Sequence, residues 1–444
     1  MKNWSLGYEI IRSYVRFAFW LTHKRVDVIG RNRIPEGKPI IFAPNHQNAL
    51  MDPLALVCSN PHQTMWLARA DIFKSETASS ILKYLKLLPI YRIRDGKDNL
   101  SNNEQIFEQV TRILENKQTI ALFPEAAHSG RRQMLPHKKA IPRIALEAEA
   151  KNGFRLNLQI LPVGIYYDHY WAFNRSLIIE YGEPISIDQY RDEYTRNPQK
   201  AMLSLRDEIL GQLSRLTLQI DSKLHYQEYE NIRQLAGKAY SDKHTSDKCS
   251  NFQQLNAEKL LMNRLFLLES TQPIQFEKLL DSVSDYFDQL KKNKLADMQI
   301  KEAEKASSTM IPLHFFAFIF SLPVFVFGLI FNAIPFFIPH AILRRKVKNV
   351  TFLSTFNFVV GLIVFPFFYL VEAIAIFAVT HSVIASVVTF VCMPLAGKLA
   401  FNLLPFYQLL FRNIGLTFRN KTLINSMIAL RKAVIKNVLG TVGQ

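Results

Sequence analysis

Residues 40–54 read Ile40-Ile-Phe-Ala-Pro-Asn-His-Gln-Asn-Ala-Leu-Met-Asp-Pro-Leu54. An apolar run at 40–43 gives way to a short polar break. This is the pattern of a strand that ends where reactive side chains reach the surface. Within the break, His46 and Asp52 stand six positions apart. An unperturbed imidazole titrates close to neutral pH, so His46 has the chemistry of a general base. Asp52 has that of a partner for the second ring nitrogen. On a continuous helix six residues rotate a side chain by roughly 240°, so the two would face apart. If they act together, the chain must turn between them. The plainer reading is a helix cap followed by a surface histidine.

The wording Asn45-His46 … Asp52-Pro-Leu54 resembles the first motif of the glycerolipid acyltransferases, which acylate glycerol-3-phosphate and lysophosphatidic acid. Most members place four residues between histidine and aspartate; here there are five. The longer spacing is similar to the fungal branch that acylates glycerol-3-phosphate and dihydroxyacetone phosphate. Further blocks follow in the family's order. Pro89-Ile-Tyr-Arg-Ile-Arg94 resembles the second, whose arginine contacts the acceptor's phosphate. Arg92 and Arg94 share that assignment, since alternate residues of an extended segment point to one side. A guanidinium suits phosphate through its planar fork of donors; a strand with a solvated basic edge is the alternative.

Thr119-Ile-Ala-Leu-Phe-Pro-Glu125 resembles the third block, Phe-Pro-Glu-Gly, with Ala126 in place of glycine. His128 stands in place of the arginine that usually follows, and Arg131 and Arg132 lie three and four residues beyond it. By the resemblance, Glu125 binds the acceptor's hydroxyls or braces the site; otherwise it is a carboxylate favoured near a helix N-terminus. Pro136-His-Lys-Lys-Ala140, Ile160-Leu-Pro-Val-Gly-Ile165 and Gly182-Glu-Pro-Ile185 are weaker echoes, and the likeness covers residues 30–190. It implies an α/β fold there, an open sheet of buried strands with covering helices.

The reaction so implied is acyl transfer from a thioester to a hydroxyl. His46 removes the proton and Asp52 stabilises the imidazolium. Asn45, Glu125, His128 and the cations Arg92, Arg94, Arg131 and Lys138 bind substrate. The acceptor implied is glycerol-3-phosphate, with dihydroxyacetone phosphate as a further candidate and lysophosphatidic acid as the alternative. The donor is acyl-CoA or acyl-carrier protein, a co-substrate, and no bound cofactor is expected. A non-catalytic membrane protein that binds anionic lipid is the alternative from another class. Cys58, Cys249 and Cys392 are scattered without metal-type spacing, so neither zinc nor disulfides are expected.

A formal charge of +17 suits nucleic acid or an anionic lipid surface. The apolar segments decide for lipid and against nucleic acid. No charged residue occurs between 310 and 343, and only Lys348 and Glu372 carry charge between 347 and 397. Both runs exceed the roughly 20 apolar residues that span a bilayer. The second is long enough for two spans with a turn near His381. The first, short for two, predicts a re-entrant or interfacial hairpin broken around 323–332. Arg344-Arg-Lys-Val-Lys348, and Lys398, Arg412, Arg419 and Lys421, belong on the cytoplasmic side by the positive-inside rule. The catalytic region should face the cytoplasm too, across the inner membrane if the source is bacterial. The organisation expected is an interfacial amphipathic helix at 1–29, the acyltransferase domain at 30–190 and a helical region at 191–308. Membrane-embedded hairpins at 309–410 and a basic amphipathic tail at 411–444 complete it.

Overall fold

Strands with β-branched and aliphatic residues on both faces bury themselves between helices, and that composition builds the N-terminal sheet. The computed structural model describes residues 4–91, 102–125, 127–244, 250–305, 311–417 and 421–443. The chain forms two compact units, Met1–Thr217 with Asn349–Thr355, and Leu218–Lys348 with Phe356–Gln444.

The first unit runs α1 (Leu6–Thr22), β1 (His23–Ile29), β2 (Ile40–Pro44), α2 (Met51–Ser59), β3 (Met65–Arg69), α3 (Glu76–Tyr84), β4 (Leu87–Ile90), α4 (Asn102–Glu115) and β5 (Thr119–Ala121). It continues with α5 (Ala140–Lys151), β6 (Gln159–Tyr167), β7 (Arg175–Tyr181), β8 (Ile185–Ser186), α6 (Arg191–Arg196) and α7 (Pro198–Leu216). The sheet order is β1-β7-β6-β2-β5-β3-β4, with β8 beside β6. Strands β6, β2, β5, β3 and β4 are mutually parallel, while β7 and β8 run antiparallel to β6. The carboxyl ends of the parallel strands therefore share one edge, where ligands of open α/β sheets bind. Ile41, Ile120 and Ile160 are fully buried with Ile144 and Leu205 of the covering helices.

Helix α1 buries one face within the first unit and leaves the other exposed. Ser5 caps it by accepting from the Tyr8 amide. Tyr8, Arg12 and Phe19 face inward, and the Arg12 guanidinium donates to the His62 carbonyl at 2.8 Å. Ile10, Phe17 and Trp20 stay exposed on the other side.

The second unit contains α8 (Tyr226–His244), α9 (Asn251–Thr271), α10 (Pro273–Lys292), α11 (Asp297–Lys305), α12 (Ile311–Lys346), α13 (Leu353–Thr380), α14 (Val383–Thr417) and α15 (Lys421–Val442). The first three residues of α13 belong to the first unit. Phe316–Lys346, Val350–Thr380 and Val383–Gln408 are long and apolar enough to cross a membrane. The break expected at 323–332 is absent: α12 runs unbroken through Pro323, Pro335 and Pro339. A proline inside a helix removes one hydrogen bond and crowds the preceding turn, but neighbouring helices and local adjustment tolerate it in an apolar setting. Here α14 lies alongside. Ser321 and Tyr407 share a hydroxyl hydrogen bond of 2.8 Å, and Asn332 donates to the Met393 carbonyl at 3.4 Å. The turn between α13 and α14 falls at His381, whose φ of 53° makes the reversal.

Helix α15 is docked, not a free tail. Its buried Arg431 pairs with Asp297 at 2.8 Å and with Glu304 at 3.2 Å.

Candidate active site

Strand β2 ends at Pro44, and the chain reverses before α2 begins at Met51. Ala49 makes the reversal with φ 40°, a conformation that costs a residue with a Cβ. The fold holds it because Asp52, at the start of α2, gathers the turn around itself. Asp52 Oδ2 accepts from the Gln47 amide at 2.7 Å, the Asn48 amide at 2.7 Å and His46 Nδ1 at 3.0 Å. An ionised carboxylate only accepts, so Nδ1 carries the proton and Nε2 presents a lone pair. That is the tautomer a general base requires. His46 is partly exposed at 14%, whereas Asp52 is 1% exposed.

Three further contacts surround His46, two of them on its ring. Phe123 stacks on it with centroids 3.9 Å apart. Glu125 Oε1 accepts from the His46 amide at 2.8 Å. His128 stands edge-on, 5.3 Å between centroids.

Glu125 is buried and spends its second oxygen on the Leu135 amide at 2.8 Å, so it ties the loop after β5 to the histidine turn. Burial pushes its carboxyl up to about 7, against the two amide hydrogen bonds that pull it down. Burial lowers the His128 pKa, and a charge on His46 lowers it further.

The remaining expected residues divide by position. Asn45 is buried, with Oδ1 accepting from the Ile165 amide at 2.6 Å and Nδ2 donating to the Ile165 carbonyl at 3.1 Å. It joins β2 to β6 directly behind the histidine. Arg131 and Lys138 are exposed on the loop after β5. Arg132 is buried; it donates to the Tyr167 and Asp168 carbonyls at 3.0 Å each and stacks on Tyr166 and Tyr170. Arg92 and Arg94 lie outside the described residues.

Four residues near the site escaped the sequence reading. Arg69 ends β3 on the same sheet edge, pairs with Asp71, and is close enough to lower the His128 pKa. Tyr167 is fully buried, and burial together with the Asp52 charge raises its pKa. Arg175 stacks on Tyr167 at 4.6 Å. The Tyr170 hydroxyl donates to Gln47 Oε1. In sequence these are ordinary strand and loop residues; Arg69 reaches this edge at the end of β3, and the pairing of β6 with β7 gathers Tyr167, Tyr170 and Arg175. Among the described residues no three His, Cys, Asp or Glu side chains group as ligands for a metal ion.

Residues 25–166 match the Acyltransferase family model. That span contains His46, Asp52, Glu125 and His128. The chain is 24% identical over 205 residues to Glycerol-3-phosphate O-acyltransferase 2 of Saccharomyces cerevisiae, covering 42% of this chain and 25% of that protein. It is 33% identical over 116 residues to an uncharacterised acyltransferase of Schizosaccharomyces pombe, covering 26% and 17%. The solved 1-acyl-sn-glycerophosphate (LPA) acyltransferase PlsC from Thermotoga maritima is similar over 46% of this chain and 78% of that one, at 19% identity and a TM-score of 0.34. The chain thus spans a quarter or less of the length of the curated relatives it matches.

Proposed function

We propose that this chain is a membrane-bound O-acyltransferase that moves a fatty acyl group from a thioester to the hydroxyl of glycerol-3-phosphate, in phospholipid synthesis. The observation that carries the reading is the His46–Asp52 contact, which leaves Nε2 free as a base. Nε2 takes the proton of the acceptor hydroxyl while its oxygen bonds to the thioester carbonyl carbon. The carbon–sulfur bond then breaks, and the thiolate leaves with the proton that His46 carries. Asp52 stabilises the intervening imidazolium; general base catalysis of this kind contributes about 10²–10⁴-fold. The phosphate is held by Arg92, Arg94, Arg131 and Lys138, joined by Arg69, which orients the hydroxyl toward Nε2. Glycerol-3-phosphate is favoured as acceptor by the five-residue spacing of His46 and Asp52 and by the similarity to the Saccharomyces protein.

Donor and acceptor place the catalytic unit on the cytoplasmic face, with α12–α14 in the bilayer and the exposed side of α1 in its interface. The test is acyl transfer by membranes containing the full chain. Glycerol-3-phosphate, dihydroxyacetone phosphate and lysophosphatidic acid are offered in parallel, each with acyl-CoA and with acyl-carrier protein. Product with glycerol-3-phosphate supports the reading; product only with lysophosphatidic acid replaces the acceptor. Silence in every lane with folded protein sinks the reading.

A further inference from the structure

Residues 349–355 connect α12 to the body of α13, some 300 positions after His46, yet they belong to the catalytic unit. The segment orders itself first. Asn349 Oδ1 accepts from the Thr351 amide at 3.0 Å and from the Thr351 hydroxyl at 2.7 Å. With its proton committed to Asn349, the Thr351 oxygen is left as an acceptor, and His128 Nε2 lies 3.3 Å from it. Nε2 of His128 therefore carries the proton and Nδ1 presents the lone pair. Phe352 meets the same imidazole edge-on, centroids 4.8 Å apart at 87°. Opposite, Gly130 has φ +66°, and a Cβ there would stand 2.9 Å from Thr351 Cγ2, so glycine lets the strap lie close.

The strap also holds the other flank of the dyad. The Leu50 amide, at the start of α2, donates to Thr355 Oγ1 at 3.2 Å. The Ser354 hydroxyl donates to the Tyr170 carbonyl at 3.2 Å, and Arg175 Nη1 reaches Ser354 Oγ at 3.4 Å. Arg175 in turn stacks on Tyr167. A loop that only connected two apolar helices would have no reason to make side-chain hydrogen bonds on both sides of a catalytic histidine.

We propose that residues 349–355 are a positioning element of the active site, in which Thr351 fixes the tautomer and orientation of His128 beside His46. Through it, the connection between two apolar helices sets the acceptor site. The inference rests on the acyl-transfer reading for its kinetic test alone.

That test is a double-mutant cycle in the full-length protein, with Thr351→Val, His128→Ala and the double variant. Thr351→Val should lower kcat/KM for the acceptor by about tenfold, the order expected for one lost hydrogen bond at a half-buried partner. KM for the thioester should stay unchanged, and Thr351→Ser should recover most of the loss. In the His128→Ala background Thr351→Val should have no further effect, because it acts through the absent ring. A second arm needs no activity: labelling of His128 by diethyl pyrocarbonate, read by mass spectrometry, should be faster in Thr351→Val, where Nε2 is released. Multiplying losses in the cycle would overturn the proposal, as would equal labelling of wild type and variant. Inert wild type with faster labelling in the variant would count against the acyl-transfer reading while supporting the strap.

Discussion

Glu125 carries two jobs on one carboxyl, and they pull its titration in opposite directions. Its oxygens accept from the His46 and Leu135 amides, which favours the charged form, while burial favours the neutral one and prevails, lifting the pKa from 4.5 to about 7. A carboxyl that holds its proton more tightly in the folded chain than in the unfolded one stabilises the fold below its unfolded pKa. That contribution is lost as pH rises through the folded pKa. The window here runs from about 4.5 to about 7, with a slope of at most about 1.4 kcal/mol per pH unit. The unfolding midpoint of the full chain should therefore decline across that window in wild type and decline less in Glu125→Gln. Parallel profiles would show that Glu125 titrates normally. Below that window the Gln variant should be less stable, because one amide donor loses its acceptor, at a cost of about 1–3 kcal/mol. His46 and Asp52 could be singled out in sequence by the polar break after an apolar run, and Glu125 by the resemblance of its block to the family motif. Tyr167 and Arg175 could not, since within β6 and β7 they look like any alternating strand residue.

The turn between β2 and α2 shows how far spacing alone can be carried. Six helical residues would have set His46 and Asp52 apart, and the reversal at Ala49 is what that arithmetic demands. Strand β2 was equally readable, from the apolar run at 40–43. The Gly182–Ile185 segment was less so: β7 ends at Tyr181, and only Ile185–Ser186 pairs again, as β8. Helix α7 shows what glycine does here. A Cβ on Gly164 of β6 would stand 2.7 Å from Leu216 Cβ and 2.9 Å from the Leu216 carbonyl oxygen. Gly164→Ala must displace the end of α7, so it should cost about 1–3 kcal/mol and lower the thermal midpoint; an unchanged midpoint would mean the helix end yields freely. The unbroken α12 marks where local rules fail, because proline's penalty is set by what packs alongside. The strap at 349–355 marks another limit, since no periodicity reports a contact some 300 residues away.

Parity governs how the second unit can relate to a bilayer. Helix α15 follows the three apolar helices, yet it packs on α10 and α11, which precede them, and Arg431 pairs with Asp297 and Glu304. An odd number of crossings would put a bilayer between these partners, so the docking of α15 predicts an even number of crossings between α11 and α15. Cysteines at Asp288 and Lys436, both exposed, should therefore react with an impermeant maleimide from the same face of sealed vesicles. Reaction from opposite faces would contradict the docking of α15. The basic residues flanking the apolar helices were legible in sequence, but the packing that fixes the parity was not. The dyad is the claim most exposed to a single result. Purified full chain, wild type and His46→Ala, should be compared for acyl transfer to glycerol-3-phosphate at equal amounts of folded protein. Loss of turnover by about 10²-fold or more in the variant, with membrane association intact, is what the account predicts. Equal turnover in the two proteins would contradict it.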